Sequence, residues 1–178
     1  MKITAAVVPV RSAPFEIETL DLAPPLADEA LVRIVASGVC HTDLHARDGY
    51  FPNLPYPVVC GHEGAGIIEQ VGAAIGDLAP GDPVVISFPW CGECGPCRAE
   101  RISYCERARP LKSSGRRADG SIPMSRNGEL VYSASFSNPR LRVSPSPRLR
   151  TSSRSAATHR SKCWVPSAVA CRPVPVRY

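Results

Sequence analysis

No stretch of this 178-residue chain approaches the roughly 20 consecutive apolar residues needed to cross a bilayer, so a membrane-spanning helix is not expected. Acid is missing from the C-terminal part. Nothing after Glu129 is Asp or Glu, while nine basic residues run from Arg140 to Arg177. The formal charge of +5 therefore belongs to that tail, and residues 1–129, with 12 Lys+Arg against 16 Asp+Glu, are mildly acidic. The tail also lacks the interleaved aromatics of a nucleic-acid surface, which argues against a specific nucleic-acid partner. Met1–Arg11 has one Lys and a short apolar run broken by Pro9 and Arg11, without a small-residue cleavage pattern, so no leader is expected. No internal repeat is found.

What the chain does have is cysteine in a telling arrangement. Cys91, Cys94, Cys97 and Cys105 show C-x2-C-x2-C-x7-C spacing, and four thiolates with short gaps can close a tetrahedron around zinc. That is the donor set of a saturated, structural site; a redox C-x-x-C pair is the competing reading. Two further segments carry metal-ligand residue types: Cys40-His41-Thr42-Asp43-Leu44-His45 and Gly61-His62-Glu63-Gly64-Ala65-Gly66. Cysteines spaced for metal rather than for disulfides fit a reducing, cytoplasmic setting. Cys60, beside the second segment, reads as a small buried residue.

The elements between these motifs are short. Ile3–Val8 and Phe15–Leu20 read as an opening hairpin, and Ala30–Ala36 as a strand delivering Cys40 at its end. Thr42 or Asp43 is placed to cap a short helix stopped by Asp48-Gly49. Pro52, Pro55 and Pro57 keep the next segment extended. Val84–Phe88 and Glu129–Phe136 read as strands, and 112–127 as a loop. Residues of about 89–109 form a lobe too small for a core of its own, stapled by its metal. Many short strands with Gly/Pro punctuation predict a mainly β domain, a barrel or sandwich.

At these cysteine and histidine motifs the chain resembles the zinc-dependent medium-chain alcohol dehydrogenases, more loosely their aryl- or benzyl-alcohol members, over residues 1–136. The resemblance implies a GroES-like β-barrel catalytic domain with a four-cysteine zinc lobe. It implies Cys40 and His62 as catalytic zinc ligands, Glu63 as an alternate ligand, and Asp43 orienting the zinc-bound His62, with a plain helix cap as the rival role for Asp43. It assigns Thr42 and His45 to a proton relay, with a solvated surface histidine as the rival reading of His45, and His41 to the pyrophosphate of NAD. The implied reaction is oxidation of a primary alcohol, benzylic alcohols included, to its aldehyde, in an enzyme whose relatives form homo-oligomers. Phe51, Phe88 and Trp90 flank the motifs, as an aromatic-substrate lining or as ordinary core.

Two family features are not found. The Gly-rich turn of a Rossmann cofactor domain is absent, since Gly64-Ala65-Gly66 sits inside the metal segment, and no third catalytic ligand stands in frame. Residues 137–178 change to Arg, Ser and Pro, the composition of a disordered tail. Read from the third codon base, however, permissible codons across 137–178 yield L-G-C-G-V-Q-T-G-A-G. In the L-G-P just before it, Cys163 before Trp164 forces the Leu and Trp164 before Val165 forces the Gly. The recovered segment resembles the one that carries the family's third zinc ligand, a Cys falling across the codons of Ala168 and Val169. The expectation is a frame-shifted, truncated and catalytically incompetent dehydrogenase, in which Cys163 and Cys171 are out-of-frame residues and not ligands. The alternative is a zinc-stabilised binding module without enzymatic activity.

Overall fold

The computed structural model describes residues 1–117, 119–133 and 141–145. β1 (Lys2–Val8) and β2 (Glu16–Leu22) pair antiparallel as the opening hairpin, with Ile3, Ala5 and Val7 turned alternately into the interior. β7 (Met124–Arg126) joins β2, β8 (Glu129–Ser133) joins β7, and β4 (Val58–Val59) bridges β8 back to β1. Those five strands close a barrel. Its core is Ile3, Ala5, Val7, Leu20, Leu22, Val59, Met124 and Val131. Closure removes the unpaired edges that short strands would otherwise expose.

A second sheet runs in the order β3 (Ala30–Ser37), β5 (Gly64–Val71), β6 (Pro83–Pro89), β9 (Leu141–Pro145). It buries Ala30, Val32, Ile34, Ile68 and Val84. The β3–β5 register slips between Ile34 and Ala36, a bulge of the kind that bends a strand and re-aims the chain beyond it. The segment re-aimed in this case is the Cys40 loop. Helix α1 (His41–Asp48) comes next and rests on Val8, Leu54, Val58 and Cys60 through Ala46.

The mainly β expectation holds, with three local corrections. Cys40, not Thr42 or Asp43, is the N-cap residue of α1, because the helix starts two or three residues earlier than the polar cap types suggested. The segment read as a loop over 112–127 contains the end of α3 (Ala108–Ser113) and all of β7, whose three residues are too few to show a period. Leu141–Pro145, expected to be part of a disordered tail, pairs antiparallel with β6, which would otherwise present an open edge. The rest of the tail, with Cys163 and Cys171, lies outside the described residues, as does the end of the strand expected over Glu129–Phe136.

One buried ion pair ties the sheets together. Glu29, at the entry to β3, meets Arg117 at 2.9 Å, and Arg117 also donates to the Pro24 carbonyl at 2.9 Å. Burial lifts the Glu29 carboxyl above its ordinary range, against the Leu26 N–H and the Arg117 cation, which favour the charged form. Among the described residues no helix is long and apolar enough to cross a membrane.

Candidate functional site

The cysteine lobe folds around its own thiols. β6 hands the chain to Trp90 and Cys91, α2 (Gly95–Arg98) carries Cys97, and a 3-10 turn (Ile102–Tyr104) leads into Cys105. The four sulfurs of Cys91, Cys94, Cys97 and Cys105 lie within 4.8 Å of one another. Cys91 Sγ and Cys97 Sγ are 3.9 Å apart, close to the roughly 3.8 Å edge of a tetrahedron built on Zn–S bonds of about 2.3 Å. The Glu93 and Cys94 N–H groups point at Cys91 Sγ at 3.4 and 3.3 Å, and the Cys91 N–H at Cys105 Sγ at 3.3 Å. Burial opposes a Cys91 thiolate, but those N–H donors outweigh it and bring the group to about 6. Burial, with the neighbouring thiols, pushes Cys97 up to about 12 despite the Gly92 N–H. The cluster thus favours a thiolate at Cys91 and opposes one at Cys97, an opposition that a bound divalent cation would offset. The donor set fits zinc.

A second group gathers at the top of the barrel: the ligand atoms of Cys40, His62 and Glu63 also lie within 4.8 Å of one another. Asp43 joins the two segments. Its Oδ2 accepts the Cys40 N–H at 3.0 Å, and its Oδ1 lies 3.2 Å from His62 Nδ1. With the carboxylate facing Nδ1, that nitrogen is assigned the proton and Nε2 is left for a metal. Asp43, the third residue of α1, thus closes a capping box on the Cys40 N–H while its other oxygen faces His62. Burial works against its charge, yet His62 and the Cys40 and Gly61 N–H groups hold its carboxyl below the ordinary range. Asp43 in turn lifts His62.

Thr42 stands beside the sulfur, with Oγ1 3.5 Å from Cys40 Sγ, and its hydroxyl, then its N–H, then His62, hold the thiol below its usual range. Glu63 is exposed, and its carbonyl accepts the Gly38 N–H and the Ser37 hydroxyl at 3.0 Å each. A Cβ at Gly38 would collide with the Glu63 carboxylate, so the missing side chain is the cradle that lets Glu63 turn toward Cys40. Sulfur, imidazole and carboxylate converge in a half-open position, and these donors fit zinc with coordination to spare.

His41 and His45 occupy one face of α1, rings 4.7 Å apart, and Tyr50 stacks on His45 at 4.6 Å. Cys60 is buried, and burial, helped by Asp43, pushes its thiol up to about 12, in keeping with a packing role. Trp90 is buried with the lobe cysteines and Phe51 packs beneath α1, so core packing is the role their geometry carries, whereas Phe88 leans on Trp90 from an exposed position. Sequence reasoning missed Glu29, Arg117, Arg11 and Tyr56. Each acts through a partner distant in the chain, which no local pattern announces.

Barrel and clusters together define a β domain with two donor sets able to hold a metal, one closed and one half-open. Residues 26–131 match the alcohol dehydrogenase GroES-like domain, and the chain belongs to that family. It is 44% identical over 133 residues to the geraniol dehydrogenase of Castellaniella defragrans, covering 74% of this chain and 35% of that protein. It is 42% identical over 129 residues to the class-3 alcohol dehydrogenase of Caenorhabditis elegans, covering 72% and 34%. The crystal structure of the benzyl alcohol dehydrogenase from Acinetobacter calcoaceticus superposes with a TM-score of 0.70 at 40% identity, covering 76% of this chain and 36% of that one. An alcohol dehydrogenase zinc-binding domain protein from Burkholderia ambifaria gives 0.76 at 38% identity, covering 83% and 43%. The chain spans about a third of the length of the curated relatives it matches.

Proposed function

We propose that this domain is the metal- and alcohol-binding half of an NAD-linked zinc alcohol dehydrogenase acting on primary alcohols, benzylic ones included. The observation that supports the reading best is the convergence of Cys40, His62 and Glu63 with Asp43 behind His62. Zinc held there supplies a Lewis acid that acidifies a bound alcohol. Cys40 Sγ and His62 Nε2 would hold the ion, with Glu63 as the alternate donor. Thr42 Oγ1 would take up the proton of a bound alcohol as its own hydroxyl proton is passed on, by way of His45, to solvent. His41 is assigned to the NAD pyrophosphate.

With its frame shifted near residue 137, the chain holds zinc but lacks the third sulfur donor, and does not itself turn over. Metal analysis and an NAD assay with benzyl alcohol test this, alongside the same gene with one base restored after the codon of Phe136. The expected outcome is zinc in both proteins and NADH formation only in the restored one. Turnover by the chain as written, or none after restoration, would reject the reading. In the cell the frame-shifted chain then persists at most as a zinc-stabilised binding module.

A further inference from the structure

The helix that carries Thr42, Asp43 and His45 is poorly equipped to hold itself. α1 has eight residues, about 12 Å of helix, and isolated helices shorter than about 12–15 residues are marginal in water. Of its side chains only Asp43 and Ala46 are buried, so apolar packing contributes little. What fixes it must come from its ends. At the N-terminal end the Asp43 carboxylate takes the Cys40 N–H. At the C-terminal end four carbonyls lack a helical partner, and unsatisfied backbone groups are costly when water is excluded.

All four are satisfied, and mostly from outside the helix. The His45 carbonyl accepts the Tyr50 N–H at 3.0 Å. The Tyr56 hydroxyl donates to the Ala46 carbonyl at 2.6 Å and reaches that of Arg47 at 3.1 Å. Arg47 O also takes the Ser12 N–H at 2.8 Å, and Asp48 O takes Arg11 Nε at 3.1 Å. Gly49 makes room for this. Its φ of 80° suits glycine, and a Cβ there would run into the Arg11 side chain. The Arg11 cation also meets the negative end of the helix dipole. Two independent segments, the β1–β2 turn and the loop before β4, therefore grip the same last turn.

We infer that Tyr56 and Arg11 are positioning residues that set α1 from its C-terminal end and so place Cys40, Thr42, Asp43 and His45 at the open metal centre. A rigid two-turn rod transmits a tilt at one end to the other. This inference rests on the metal reading proposed above, and its test separates the two. The full chain, with zinc in the tetrathiolate, is titrated with Co2+ and monitored by visible absorption of the open centre, while amide exchange of α1 is measured on the metal-free centre. Tyr56→Phe removes only the hydroxyl, Arg11→Met removes the cation, and Arg11→Lys restores a donor.

The expected result is faster exchange in α1, about tenfold weaker Co2+ binding in Tyr56→Phe and Arg11→Met, recovery in Arg11→Lys, and unchanged zinc in the tetrathiolate. Unchanged exchange overturns the inference. Faster exchange with undiminished Co2+ affinity also overturns it, because the anchors would then stabilise the helix without placing the ligands. Absence of any Co2+ spectrum at the open centre of the unaltered chain rejects the metal reading and takes the inference with it.

Discussion

The two candidate metal centres of this domain are built in opposite ways. The tetrathiolate draws all four donors from residues 91–105, buries three of them, and orients sulfur with N–H groups of the same segment. The open centre draws Cys40 from the end of β3 and His62 and Glu63 from the segment before β5, and depends on Asp43 to join them. The first is a local fold that needs its metal. The second is a product of the barrel and stays half-open, the condition under which a metal can also take substrate.

Removing metal should break this comparison most visibly. Apparent binding free energies for structural zinc run to about 10–16 kcal/mol, and the lobe has little apolar core besides Trp90, Ile102 and Leu111. Chelation is expected to expose Trp90 and melt α2 while the barrel strands persist, so tryptophan fluorescence should change before far-UV circular dichroism of the β signal does. A barrel that melts together with the lobe would show that the two are one cooperative unit.

The converse perturbation strikes the barrel side. Arg117→Met leaves the Glu29 carboxylate buried without its cation, a change that costs about 3–5 kcal/mol for buried pairs. Because Glu29 opens β3 and β3 delivers Cys40, denaturant titration should show the open centre losing metal at the lower midpoint while the tetrathiolate keeps its zinc. A smaller and more selective change is Asp43→Asn. It is expected to weaken metal at Cys40, His62 and Glu63 by about 10- to 100-fold and to leave the tetrathiolate untouched. Equal losses at both centres in a metal titration would mean that Asp43 acts through overall stability instead of through His62.

How far each region could be read from sequence reflects the same contrast. The tetrathiolate was legible because its chemistry is a spacing within fifteen residues, and β1 and β2 because Ile3, Ala5 and Val7 alternate with outward residues. Cys40, His62 and Glu63 stood out as metal-ligand residue types in two segments, but their roles came through resemblance, since nothing local says that two segments twenty residues apart converge. β7 escaped because three residues carry no period, and β9 because its partner edge on β6 is a tertiary fact. The anchors of α1 were invisible for the same reason: Arg11 reaches Asp48 across 37 positions. Ordinary-looking residues such as Tyr56 acquire a role only when the fold brings orphaned carbonyls to them.

The smallest predicted effect is a slope with pH, and it concerns the Glu29–Arg117 pair at the entry to β3. Burial raises the Glu29 carboxyl above its ordinary 4.5, so in the folded chain it holds a proton more tightly than in the unfolded one. Its titration therefore favours folding at pH below about 4.5, and that contribution is lost as pH rises through the folded value. In Glu29→Gln the slope disappears, although the absolute stability also changes because Arg117 loses its counter-charge. The quantity to compare is thus the pH dependence of the denaturation midpoint above pH 4.5, not its level. The unaltered chain should lose stability relative to Glu29→Gln as the pH climbs through that window. A relative gain would mean that Arg117 outweighs burial and holds the folded carboxyl below its unfolded value, in which case the pair stabilises the barrel at neutral pH.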